Sequence, residues 1–112
     1  MFRATTPKHS FIFDVDPDET FQEILISYGQ KDKIVLEKRK ADLTFSEQTL
    51  PDGTVEHIAT VKLTQEETKC FCLMNGNKIA IQVRVLTTDG DVVAFDKFTL
   101  ELKDVLNDEV LR

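Results

Sequence analysis

Strict alternation of apolar and polar residues is the feature that most limits how this chain can fold. It is clearest over residues 78–88, where every second residue is a branched apolar one: Ile79, Ile81, Val83 and Val85. Successive side chains of a β-strand point to opposite faces, so a period of two predicts a strand with one face buried. Helical packing would need apolar residues three or four apart instead.

The same alternation, with turn-forming residues between segments, recurs along the chain. It predicts six further strands, over residues 10–15, 21–28, 33–39, 42–49, 54–63 and 91–102. Pro51-Asp52-Gly53 predicts a chain reversal, because Pro presets φ near −65° and Gly accepts positive φ. Asp89-Gly90 predicts a two-residue type I′ hairpin turn.

One segment departs from the period of two. Thr64 is followed three residues later by Glu67, a capping box in which the Thr hydroxyl accepts from the third amide while the Glu carboxylate accepts from the cap's own amide. We therefore expect one or two helical turns over about residues 65–73, closed by Asn75-Gly76. The last residues, 104–112, alternate between apolar and acidic and predict either a frayed helical turn or a docking segment.

These elements predict an all-β chain. Seven strands with one short helical corner favour an antiparallel β-sandwich, and a partly open barrel is the alternative. A βαβ architecture would need several helical crossovers, which the pattern does not offer. Leu, Ile, Val and Phe make up 36 of the 112 residues, enough for a core, and the length predicts one domain spanning residues 1–112.

Charge separates into stretches of opposite sign. The chain carries a net charge of −6, which is unfavourable for binding a nucleic-acid backbone or an anionic membrane directly. Residues 14–23 hold five acids and no base, and residues 89–112 have net charge −4, whereas residues 31–40 have net charge +3. Complementary patches orient protein association, so we expect protein partners, and a homo-oligomer is one alternative.

Two charged clusters are the candidate partner-binding patches, and each has a simpler interpretation as a solvated face or strand end. The candidate residues are Asp14, Asp16, Asp18, Glu19, Glu23, Lys38, Arg39 and Lys40.

No catalytic residue, metal site or cofactor is predicted. The acids from Asp14 to Glu19 do not form a calcium loop, because Glu19 stands where that loop needs Gly and Leu25 where it needs Glu. His9 and His57 have no ligand-like neighbour in sequence, and no GxSxG elbow or Gly-rich phosphate loop occurs. We therefore expect a protein that is not an enzyme.

The two cysteines, Cys70 and Cys72, are two residues apart. In a strand that spacing would put them on opposite faces and disfavour a disulfide, so we expect two half-buried thiols in a reducing compartment. The chain has no apolar run of the length that a secretory signal or a membrane span needs. We expect it to begin at Met1 and to remain in the compartment where it is made.

Residues 61–105 resemble a known group of proteins. The order VKLTQEET, NGNKIAIQVRV and LTTDGDVVAFDKFTLELKDVL is similar to small immunoglobulin-like proteins of phages and prophages of Gram-positive bacteria, and to the N-terminal domain of phage baseplate upper proteins. Residues 5–40 fit through an early FxF strand and the ILISYGQKDKIVLEK hairpin. The resemblance implies an immunoglobulin-like sandwich.

The resemblance also implies a function. It suggests a phage structural or accessory protein that binds subunits of the virion, baseplate or tail, located in the virion or the host cytoplasm. Baseplate upper proteins continue into a long fibre or receptor-binding part, whereas this sequence ends at Arg112, which favours an accessory role. The alternative is an acidic phage-encoded inhibitor that occupies the basic nucleic-acid groove of a host defence nuclease.

Overall fold

The computed structural model describes residues 1–112 and contains eight strands and two short α-helices. The strands are β1 (Lys8–Phe13), β2 (Phe21–Gln30), β3 (Lys33–Arg39), β4 (Leu43–Thr49), β5 (Val55–Lys62), β6 (Lys78–Thr87), β7 (Val92–Ala94) and β8 (Phe98–Glu101). The helices are α1 (Pro17–Thr20) and α2 (Gln65–Lys69), and Lys40–Asp42 and Leu73–Asn75 form single 3₁₀ turns.

The strands form two antiparallel sheets. The first has the order β1-β5-β4, and the second has the order β3-β2-β6-β7, with β8 also paired to β6. Aromatic side chains join the sheets: the rings of Phe11 and Phe98 lie 6.2 Å apart, and those of Phe13 and Phe21 lie 5.5 Å apart. The prediction of an all-β sandwich with a short helical corner is confirmed.

The core is centred on the long pair β2 and β6. Their register sets Ile24 opposite Val85, and Ile26 opposite Val83, and all four side chains are buried. Because alternation places these residues on one face of the sheet, a single apolar surface faces the β1-β5-β4 sheet. The remaining buried members of the core cluster are Phe21, Tyr28, Val61, Leu63, Phe71, Ile79, Ile81 and Leu102.

The helical corner begins as predicted but ends earlier. Both bonds of the capping box are present, from the Glu67 amide to Thr64 Oγ1 (3.1 Å) and from the Thr64 amide to Glu67 Oε1 (2.8 Å). The helix stops at Lys69 instead of residue 73, since the chain turns inward and buries Phe71 completely, edge-on against Tyr28. A second helical turn, α1, was not predicted; Asp16 caps it and Pro17 occupies its first turn.

The C-terminal strand differs from prediction in two ways. Residues 91–102 form two short strands, β7 and β8, rather than one, and both pair with β6. The reversal at Asp89-Gly90 occurs, but only Gly90 has positive φ (91°), so the turn is not type I′. A hydrogen bond from the Thr87 amide to the Asp91 carbonyl (2.8 Å) closes the turn instead.

A tight two-residue turn joins β2 to β3. Lys31 and Asp32 both have positive φ, 48° and 61°, as a two-residue hairpin that follows the sheet twist requires. A Cβ on Gly29 would lie 2.8 Å from the Lys33 carbonyl oxygen. The absence of a side chain at Gly29 therefore permits the register shift at this end of the hairpin.

A buried amide fastens the segment after α2 to the sheet. Gln30, only 3% exposed, donates to the carbonyls of Cys72 (3.0 Å) and Gly76 (3.2 Å) and accepts from the Cys72 amide (2.9 Å). These bonds satisfy backbone groups that have no strand partner, so one side chain joins this segment to the end of β2. The C-terminal residues dock nearby, where the Gln65 amide exchanges two hydrogen bonds with the backbone of Leu111.

Replacing Gln30 with Leu should destabilise the protein by about 1–3 kcal/mol, since the Cys72 amide and the Gly76 carbonyl lose their side-chain partner in a partly buried site. Urea unfolding followed by circular dichroism would measure the loss. The matched control is Gln22→Leu, the same change at an exposed position of the same strand, which should stay within about 0.5 kcal/mol of the wild type. Equal effects of the two substitutions would contradict this role for Gln30.

Candidate functional site

An apolar groove opens at one end of the sandwich and has a volume of about 440 Å³. It lies where β1 ends, beside the β4–β5 hairpin. Its apolar lining is Ile12, Phe13, Val15, Phe21, Leu50, Val55 and Phe95, and its polar lining is Asp14, Thr54 and Glu56. We call this surface the apolar groove.

Strand register explains why apolar side chains gather here. Phe13 and Val55 lie on the inner faces of β1 and β5, the faces turned towards the other sheet, just beyond the end of the buried core. Phe13 packs edge-on against both Phe21 (5.5 Å between ring centres) and Phe95 (5.9 Å). Two strands, β1 and β2, and the segment after β7 therefore each contribute one ring to an aromatic wall of the groove.

The mouth of the apolar groove leaves large apolar side chains in contact with solvent. Ile12 is 59% exposed, Val15 and Val55 are each 40% exposed, and Phe95 is 38% exposed. Single exposed apolar residues are ordinary on a protein surface. Several around one concave surface are typical of a protein or ligand contact.

The predicted acidic residues lie at the same end of the sandwich. Asp14 lines the apolar groove. Asp16 caps α1 by accepting a hydrogen bond from the Asp18 amide (3.0 Å), and Asp18 and Glu19 lie exposed in the first turn of α1. The structure thus places Asp14, Asp18 and Glu19 in solvent around one end of the molecule.

Glu23 and Lys40 bond to neighbouring groups within the chain. Glu23 accepts hydrogen bonds from the backbone amides of Lys40 (3.0 Å) and Ile24 (2.9 Å), and these bonds hold its pKa below the usual value. The Lys40 ammonium donates to the carbonyls of Asp18 and Phe21 and lies 3.4 Å from the Asp18 carboxylate. The acidic stretch at 14–23 and the basic stretch at 31–40 are therefore in contact here.

Lys38 is also ion-paired, in this case with Glu67 of α2, and both side chains are mostly buried. Burial of Glu67 opposes ionisation, but hydrogen bonds from the Lys38 ammonium and the Thr64 amide outweigh it and lower the pKa of Glu67. Arg39 differs, because its side chain is 58% exposed and lies 3.9 Å from Glu37. Of the three predicted basic residues, Arg39 is the most available to a partner.

Both histidines have partners in the fold that their sequence neighbours do not indicate. His9 Nδ1 lies 2.7 Å from the hydroxyl of Tyr28, and burial lowers the pKa of His9. Burial, with the charge of Glu67 adding to it, raises the pKa of Tyr28. His57 Nδ1 lies 3.3 Å from Glu47 Oε1, and these two groups could ligate a metal together with Asp16.

The cysteines are free thiols. Cys72 is half-buried as expected, whereas Cys70 is exposed, because it immediately follows the last residue of α2 rather than lying in a strand.

Comparisons with known proteins place no constraint on these sites. No protein-family model, curated protein or solved structure matches the chain. The interpretation of the groove therefore depends on its own chemistry. Neither helix of the structure has the length and apolar character needed to cross a membrane.

Replacing Glu67 with Gln should separate the effect of its charge from that of the cap, because Gln can still serve in a capping box. A carboxyl group whose pKa is lower in the folded state stabilises the fold above its unfolded pKa, and that stabilisation is lost as pH falls. We expect Glu67→Gln to cost about 1–2 kcal/mol at pH 7, since Lys38 loses a mostly buried partner. The difference from the wild type should shrink towards pH 3.

Urea unfolding at both pH values would measure this change. Glu66→Gln is the matched control, since exposed Glu66 forms only a long contact (3.7 Å) with Arg112. A difference between Glu67→Gln and the wild type that is the same at pH 3 and pH 7 would exclude the charge as its cause.

Proposed function

We propose that this protein is not an enzyme and acts by binding other protein subunits, as a structural or accessory component of a phage. The main support is the apolar groove, where Ile12, Val15 and Val55 are exposed around an aromatic wall. Burial of such side chains is the principal source of free energy in protein association. The resemblance of residues 61–105 to phage immunoglobulin-like proteins supports the biological setting.

The charges around the groove define the chemistry of the partner. Asp14 and Glu56 line the groove itself, and Asp18 and Glu19 lie exposed at the same end of the sandwich. A partner segment that inserts an apolar side chain and flanks it with Lys or Arg would satisfy both features. Complementary charge at the rim would speed and orient the encounter, while the apolar contact would supply most of the affinity.

Particle composition tests this proposal directly. Phage particles purified from an induced lysogen that encodes the chain should contain it in a fixed ratio to other subunits, as measured by quantitative mass spectrometry. Abundant protein in the lysate, with none in the particles, would contradict the structural role.

The groove can be tested in the same particles with Val55→Arg. An arginine there should lower incorporation by about tenfold or more, because an unpaired charge buried in an apolar interface costs over about 1.4 kcal/mol. Ile34→Arg is the matched control, since Ile34 is 64% exposed on β3 and lies outside the groove. Circular dichroism and urea unfolding would verify that both variants fold. Equal incorporation of the two variants would exclude the groove as the contact.

The exposed acids favour a second candidate, a nuclease inhibitor. Asp14, Asp18 and Glu19 project from one end of a rigid sandwich, and carboxylates fixed in this way can imitate phosphates. Changing Asp14, Asp16, Asp18 and Glu19 to Asn or Gln should then abolish binding to the nuclease and make residual affinity less sensitive to salt. Unchanged affinity, measured by titration calorimetry at two salt concentrations, would exclude this mechanism.

A further inference from the structure

A second, smaller groove at the same end of the sandwich is lined by side chains of the types that bind metal ions. Asp16, Glu47 and His57 each offer one ligand atom, and the three atoms lie within 4.8 Å of one another. The groove has a volume of about 130 Å³ and is also lined by Pro17, Asp18, Phe45 and Ser46. The three residues come from the segment before α1, from β4 and from β5, so the fold assembles them.

Strand register fixes two of the three candidate ligands. Glu47 of β4 lies directly opposite His57 of β5. Along β4 the inner face reads Leu43, Phe45 and then Glu47, so a carboxylate occupies a position that continues an apolar row. The His57 side chain is only 18% exposed, whereas that of Glu47 is 61% exposed. A mostly buried imidazole therefore faces a carboxylate that is open to solvent.

We propose that Asp16, Glu47 and His57 bind a first-row divalent transition-metal ion of the Zn²⁺ type. Imidazole nitrogen suits zinc and its neighbours, and carboxylates complete such sites. The 3.3 Å from His57 Nδ1 to Glu47 Oε1 matches the roughly 3.3–3.5 Å between two ligands of one tetrahedral ion, as bond lengths of about 2.0–2.2 Å imply. The Asp16 ligand atom lies within 4.8 Å of the other two.

Charge supports the same assignment. Two carboxylates held this close repel each other, and a divalent cation between them would give a locally neutral site. Asp16 accepts a hydrogen bond from the Asp18 amide, which orients its carboxylate as outer-shell bonds do at metal sites. Lys40 is the nearby opposing charge, but its ammonium is bonded to the carbonyls of Asp18 and Phe21 and paired with the Asp18 carboxylate.

Three protein ligands on an open groove leave at least one coordination position for water or for a ligand atom from a partner. This proposal goes beyond the protein-binding function and does not depend on it. A metal site could exist on a chain that never enters a particle, and a particle component could lack one.

Titration with Zn²⁺, followed by calorimetry, tests the site in a Cys70→Ser, Cys72→Ser background that removes thiol ligands. We expect one ion per chain, and a loss of affinity of roughly tenfold or more in each of Asp16→Asn, Glu47→Gln and His57→Gln. Asn is as good a helix cap as Asp, so Asp16→Asn keeps α1. Glu66→Gln is the matched control, since exposed Glu66 lies in α2 and lines neither groove. It should keep the wild-type affinity within about twofold.

The chain has only two histidines, so nuclear magnetic resonance gives a second readout. Zn²⁺ should shift the ring nitrogens of His57 and leave those of His9 unchanged. Absence of binding, binding that survives all three ligand substitutions, or an equal loss in Glu66→Gln would each overturn the proposal.

Discussion

The antiparallel pairing of β2 with β6 is the constraint on which the rest of the molecule depends. These are the two longest strands, and every second cross-strand pair along their centre joins two buried side chains, as in Ile26 with Val83. A slip of one residue would turn the whole row towards solvent, so the apolar pattern fixes the register. β3 then pairs with the other edge of β2, and β7 and β8 pair with the other edge of β6.

The helical corner depends on this pair through contacts that are mostly polar. Gln30, at the end of β2, bonds the backbone after α2, and Lys38 of β3 pairs with Glu67 inside α2. Phe71 is buried and packs edge-on against Tyr28 of β2. The Tyr28 hydroxyl forms a hydrogen bond with His9 of the opposite sheet. The corner thereby covers one end of the core, and a short helix with little intrinsic stability is held by tertiary contacts.

Local patterns predicted the parts of this fold that local physics decides. The alternation over residues 78–88 and the Thr64 to Glu67 capping box both appear in the structure, because each is satisfied within a few residues. The predicted end of α2 was wrong, since the burial of Phe71 overrides a helical pattern that could otherwise continue. The contact between the acidic and basic stretches was not predicted: Lys40 and Asp18 are 22 residues apart in sequence, and only the β2–β3 hairpin brings the two together. The groove residues Val55 and Phe95 carried no local sign of a shared surface.

The apolar groove and the candidate metal site both lie where the inner faces of the sheets extend beyond the buried core. Along β5 the inner row passes from buried Val61 and Ala59 to half-buried His57 and then to exposed Val55. Residues at the end of such a row keep the orientation that the core imposes, while losing the partners that would bury them. Rigid placement with open access is what a binding site requires. The stable centre of the β-sandwich and the chemistry at its end are therefore two consequences of the same strand register.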